Sequence, residues 1–299
     1  MADWVASIEG TEDARTWAAL LALISAVAHA SFGALQKGRH SPWLTRGAID
    51  ISYLLLALPV ALFIVPWPEP HLWPIFAGMW LIHLVYKILM GMAYQRGAYT
   101  AVYPVVRGTG PLVTVIFAYL IFSEQFTVLQ WAGVLLLSGA ILSLALVNIR
   151  AEEVDRATLS VALWLAFVTG IATAVYTVYD AWGIRQSPDP FTFLAWFFVI
   201  DGSMFPLVSL WLWWNDPNRP APGPLLLRGF VGGVIGLVSF GCVMMATRLD
   251  KVGEAATLRE TSVVFAALIG WFFLGERVDR TRVLLMALIA LGAILVEFG

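Results

Sequence analysis

Long runs of apolar residues, separated by short charged connections, restrict this chain to very few folds. Ten such runs can be read: 16–36, 43–65, 72–94, 98–122, 127–148, 158–179, 190–214, 225–246, 253–274 and 280–298. Each is near the roughly 20 residues that a helix needs to cross a hydrocarbon core about 30 Å thick. In lipid every backbone amide must be bonded internally, so runs of this kind form helices. Apolar residues make up 60% of the chain and charged residues 13%, which lies outside the soluble range. The expected fold is all-α and integral to the membrane, with ten transmembrane helices and no soluble domain.

The chain also repeats itself. Arg96, Arg107, Thr109 and Glu124 recur as Arg248, Arg259, Thr261 and Glu276 at one offset, 152. Arg39-His40-Ser41-Pro42 matches Arg185-Gln186-Ser187-Pro188 at an offset of 146. Pro-rich stretches at 66–74 and 217–224 follow the second and seventh runs. The expected organisation is a polar N-terminal segment, 1–15, and two five-helix repeats, 16–150 and 151–299, forming one transmembrane unit. Five is odd, so the second copy enters the bilayer from the opposite side. An inverted-topology repeat of this kind is the architecture of many secondary transporters, whose sites lie near the midplane where the halves meet.

Connections on one side hold Lys37, Arg39, Arg46, Arg96, Arg150, Arg156, Arg219, Arg228, Arg277, Arg280 and Arg282, against Arg15, Arg185, Arg248 and Lys251 on the other, 11 to 4. The positive-inside rule then puts both termini outside. The first fifteen residues hold Asp3, Glu9, Glu12 and Asp13 but only Arg15, unlike a signal peptide. Trp43, Trp67, Trp73, Trp131, Trp211, Trp213 and Trp214 fall near run ends, as interfacial anchors do. The single cysteine, Cys242, excludes an internal disulfide and is expected to be buried packing. A net charge of −2 argues against a nucleic-acid partner.

Ionisable residues inside the apolar runs carry the functional argument, because they are costly in hydrocarbon and face the bundle interior or a water-filled cavity. They are His29, Asp50, His83, Lys87, Arg107, Asp201, Arg259 and Glu260. In the third run Trp80, His83 and Lys87 share a helical stripe with Tyr94 beyond. In the fourth, Tyr103 and Arg107 share a face, with Pro104, Gly108, Gly110 and Pro111 around the arginine. Prolines disrupt helical bonding and glycines admit close approach. A guanidinium offers a rigid fork of donors matched to a carboxylate or phosphate. An interrupted fourth helix with an anion site at Arg107 is therefore expected, or else an ion pair of Arg107 with Glu260 or Asp201. Arg259 repeats the arrangement in the ninth run. Glu260, whose counterpart is Gly108, breaks the symmetry and is a candidate for proton coupling or for a substrate ammonium, as are Asp201 and His29. Tyr176 and Tyr179 flank the position equivalent to His29. Asp50 is placed near the membrane edge with Arg46, and Glu124 and Glu276 at interfacial helix ends. No metal-ligand spacing, phosphate-binding glycine loop or catalytic constellation is present in the sequence, so neither an enzyme nor a cofactor is expected.

Phe122-Ser123-Glu124-Gln125-Phe126 and Leu274-Gly275-Glu276-Arg277-Val278 each precede a last helix carrying Gly-Ala-Ile-Leu, at 139–142 and 292–295. In these features the chain resembles the drug/metabolite transporter superfamily, and within it the ten-helix EamA-type exporters, most of all the bacterial aromatic amino-acid exporters. The resemblance implies a basket-like bundle. Its third, fourth, eighth and ninth helices line a central cavity, and the last helix of each half is peripheral. Small multidrug members of the superfamily use a glutamate in their first helix. This chain has no acid between Arg15 and Asp50, which speaks against a cationic-drug exporter.

The expected function is a secondary transporter of the bacterial inner membrane. It exports amino acids or related small zwitterionic metabolites by alternating access, with protons as a possible coupling ion. Substrate-binding candidates are Trp80, His83, Lys87, Tyr103, Arg107, Tyr176, Tyr179 and Arg259. The alternatives are an organic-anion or sugar-phosphate carrier of the same fold, and a membrane-embedded lipid-modifying enzyme.

Overall fold

A computed structural model describes residues 2–36, 41–97, 99–150, 156–274 and 280–299. All regular structure among them is helical: α1 (Ala2–Ile8), α2 (Glu12–Gln36), α3 (Pro42–Phe63), α4 (Leu72–Arg96), α5 (Tyr99–Phe122), α6 (Val128–Arg150), α7 (Arg156–Gln186), α8 (Pro190–Gly202), α9 (Pro206–Asn215), α10 (Pro222–Leu249), α11 (Val252–Arg259), α12 (Ser262–Leu274) and α13 (Arg280–Phe298). Nine stretches among the described residues are long and apolar enough to cross a membrane. Large apolar side chains such as Phe63, Leu120, Trp164 and Leu207 stand exposed on them, as on a lipid-facing surface. The protein is an all-helical integral-membrane protein. Lys37, Arg39, His40, Glu276 and Arg277 lie outside the described residues.

Two of the expected runs are not single helices. The run 190–214 is α8 and α9, parted at Ser203–Phe205. Pro206 opens α9 without an amide to donate, and the Ser203 amide tightens onto Ile200 O at 3.2 Å. The run 253–274 is α11 and α12. There the ladder shortens, with Glu260 N donating to Thr257 O and Thr261 N to Leu258 O, both at 3.1 Å. The fourth run is the reverse case. α5 stays continuous through Pro104 and Pro111, so the interruption expected around Arg107 falls at the matching place in the second half, around Arg259. The N-terminal segment expected to be merely polar contains α1, whose Val5 is 2% exposed and joins the core of α2, α6, α10 and α13.

α2 packs on α10, α5 and α4 on α7, α3 on α10 and α8, and α6 on α13. The α6–α13 crossing is unusually close. A Cβ on Gly133 would sit 2.7 Å from Gly292 O, and one on Gly292 would sit 2.7 Å from Gly133 O. Only glycine at both positions allows the two backbones this approach. Cys242 is half-buried, not enclosed as expected.

Glu124 is not a simple interfacial end. It is 9% exposed and reaches across to α11, accepting from Val252 N at 2.8 Å and Gly253 N at 3.2 Å. Its carboxylate thus caps the amides that open α11, where the helix dipole favours negative charge. Arg185 lies 3.5 Å from the same carboxylate and donates to Thr247 O and Asp250 O. Together these contacts tie the α5–α6 connection to the turn between α10 and α11.

Candidate functional site

Two buried charge clusters occupy the interior. The first gathers His29 of α2, Arg107 of α5, Arg259 at the end of α11 and Glu260 at the break, all between 3% and 6% exposed. Arg107 pairs with Glu260 at 2.9 Å. His29 lies between the two arginines. Its Nε2 meets Arg107, while its Nδ1 stands 3.3 Å from a terminal nitrogen of Arg259 and 3.4 Å from Ser239 Oγ. Aromatic faces complete the surroundings. Arg107 lies 5.3 Å from the Tyr103 ring centroid and Arg259 4.7 Å from that of Phe240, and Tyr103 stacks parallel to His29. Two guanidiniums face a single carboxylate here. A neutral imidazole can accept at only one ring nitrogen, so it cannot satisfy both arginines. Among the described residues, the Nε atoms of both arginines and Glu260 Oε2 have no hydrogen-bond partner.

The second cluster joins α3, α4, α7 and α8. Lys87 Nζ donates to Asp50 Oδ2 at 2.9 Å and to Asp201 through both Oδ2 and the backbone carbonyl, each at 3.0 Å. Asp201 lies in the last turn of α8, so the lysine also neutralises the negative end of an interrupted helix. Arg46 lies 2.7 Å from Asp50, the pairing expected from sequence, and Asp50 is wholly buried. Tyr53 bonds to both Asp50 and Asp201. His83 stands between two acids, its Nε2 2.9 Å from Asp180 and its Nδ1 2.9 Å from Asp201.

Tyr176 links the clusters. Its ring centroid is 4.8 Å from that of His83, 4.7 Å from that of Tyr86 and 6.5 Å from that of Phe240. A cavity of about 10 Å³, bordered by Phe32, Tyr53, His83, Tyr86, Asp201 and Phe240, lies against the second cluster. That is room for roughly one water. Of the residues proposed from sequence, His29, Tyr103, Arg107, Arg259 and Glu260 come together, and His83, Lys87 and Asp201 form the other group. Trp80 is half-buried on α4. Tyr179 bonds to Ile75 O at 3.1 Å, holding the start of α4 against α7. Sequence reasoning missed Asp180, because the sixth run was ended at 179 whereas α7 continues to Gln186. Tyr53, Tyr86 and Phe240 carried no signal beyond being aromatic.

Residues 160–298 match the EamA-like transporter family, which supports a place in the drug/metabolite transporter superfamily and a secondary transporter in general. A protein of known crystal structure superposes with a TM-score of 0.75 at 16% identity, covering 93% of this chain and 97% of that one. That likeness is one of fold. No curated protein matches the sequence.

Proposed function

We propose that the protein exports amino acids or related small zwitterionic metabolites by alternating access between two inverted five-span halves. It would do so in a bacterial inner membrane with both termini outside. One observation carries the site: Arg107 and Arg259, a residue pair matched by the internal repeat, converge on the same histidine with more donors than it can accept. A substrate carboxylate in place of the imidazole takes donors from both guanidiniums, while Glu260 receives the ammonium. Tyr103, Phe240 and Tyr176 form the wall for the side chain. Helix packing supports the inverted halves, since α2 meets α10 as its counterpart α7 meets α4, and α6 meets its own counterpart α13.

Counterflow of labelled amino acids into proteoliposomes tests this. Arg259→Gln and the double variant R107M/E260Q each lower counterflow at least about tenfold, the equivalent of a charge-assisted bond worth roughly 1.5–3 kcal/mol. Wild-type rates in both remove the site assignment. Two cations against one acid also suit an organic anion or sugar phosphate. Inhibition by glucose 6-phosphate with none by amino acids moves the substrate to that class.

A further inference from the structure

We propose that His83, held between Asp180 and Asp201, is the proton-carrying group of the transport cycle, and that its proton is exchanged against substrate. This rests on the transport reading above and names its coupling ion.

Both ring nitrogens of His83 face carboxylate oxygens at 2.9 Å. Nε2 is hydrogen-bonded to Asp180 Oδ2, and Nδ1 lies at ion-pair distance from Asp201 Oδ1; an imidazole flanked by two carboxylates favours the imidazolium, which can donate at both nitrogens. The charges facing it from neighbouring helices agree. α3 supplies Arg46, Asp50 and Tyr53, α4 supplies Lys87 and Tyr86, α7 supplies Asp180 and Tyr176, and α8 supplies Asp201. The nearest charges beyond Tyr176 and Phe240 are those of the Arg107–Arg259–Glu260 group. With His83 charged, three cations balance three carboxylates. Of those three side-chain types the imidazolium is intrinsically the weakest proton holder. Loss of the proton leaves one uncompensated negative charge in a buried site, a state that persists only if another cation arrives.

Asp180 offers a place for that cation. It is 3% exposed, and its Oδ1 accepts no hydrogen bond. The substrate ammonium, handed on from Glu260 to Asp180 during the cycle, takes over the role of the imidazolium. The N–H bond of His83 breaks and the proton passes to water. When the substrate leaves on the far side, His83 takes a proton from that side, so a proton moves inward for each substrate moved outward. Binding of proton and substrate is then mutually exclusive, which is the thermodynamic requirement for exchange.

The test uses the full-length protein in proteoliposomes with entrapped pH-sensitive dye and labelled L-phenylalanine, paired with 15N NMR of histidine-labelled protein in detergent. Wild-type protein shows net L-phenylalanine efflux down its gradient accompanied by opposing proton flux. The His83 nitrogens have imidazolium shifts at neutral pH, and these become neutral when L-phenylalanine is added. His83→Gln keeps counterflow at reduced rate but loses the proton flux and the pH dependence. Net efflux with no proton flux in wild type overturns the proposal and leaves the transport reading standing. So does proton flux that survives in His83→Gln. A neutral His83 in the substrate-free protein overturns it without recourse to a variant. Absence of counterflow overturns both readings.

Discussion

Replacing Arg107 by methionine removes the guanidinium that pairs with the Glu260 carboxylate. The pair is separated by 2.9 Å, with side chains 4% and 6% exposed, so bulk water screens it little. Stranding one partner of a buried pair costs about 3–5 kcal/mol. Loss of the cation–π contact with Tyr103, at 5.3 Å, adds roughly 0.5–2 kcal/mol. At about 2 °C per kcal/mol for a chain of this size, Tm falls by about 7–14 °C. Glu260→Gln in the same chain removes the stranded charge and restores most of the loss, because neutral replacements of a buried pair are often tolerated. The assay is thermal unfolding in detergent, followed by tryptophan fluorescence, on wild type, both single variants and the double variant. Counterflow is measured on the same samples. Stability returns in R107M/E260Q whereas transport does not. If the two single losses simply add in the double variant, the pair is not a coupled unit and the argument is wrong.

Glu124→Ala orphans two amides at the start of α11 and lowers stability by about 2–5 kcal/mol, whereas Glu124→Gln keeps an acceptor there and loses much less; equal losses in a denaturation series refute the capping role. Burial lifts the Glu124 carboxyl above its ordinary range, against the opposing pull of the two amides and Arg185. The folded state therefore holds this proton more tightly than the unfolded one. Its contribution to stability is complete below the usual carboxylate range and is lost as pH rises through the elevated value; Glu124→Gln removes that slope from a Tm-versus-pH curve. Gly133→Ala places a methyl 2.7 Å from Gly292 O and costs about 1–3 kcal/mol. Gly139→Ala meets nothing within 4 Å and gains roughly 0.5–1 kcal/mol of helix preference, so the order of the two Tm values checks the crossing.

The membrane fold was readable because its signal is additive: nearly every residue of a spanning helix votes for it. The interior ion pairs were readable as a short roster, since an ionisable side chain in hydrocarbon must be used. Their partners were not. Nothing in one dimension joins His83 to Asp180, 97 residues away, or Glu124 to the amides of α11. Helix breaks were misplaced for a physical reason. Pro104 and Pro111 mark where α5 forgoes amide donors, yet the helix continues through both. α11 ends instead at Glu260–Thr261, where buried charge and tightened turns compete with the regular ladder without any proline.

The glycine pair at the α6–α13 crossing has a mechanical consequence. Each carbonyl fills the space that a side chain would occupy on the opposite helix, so there are no rotamers to exchange and no ridge to climb. Sliding either rod lengthwise drives Leu137 or Leu295 into main chain, since both already crowd those glycines. The crossing thereby acts as a latch that holds α6 and α13 in one lengthwise register.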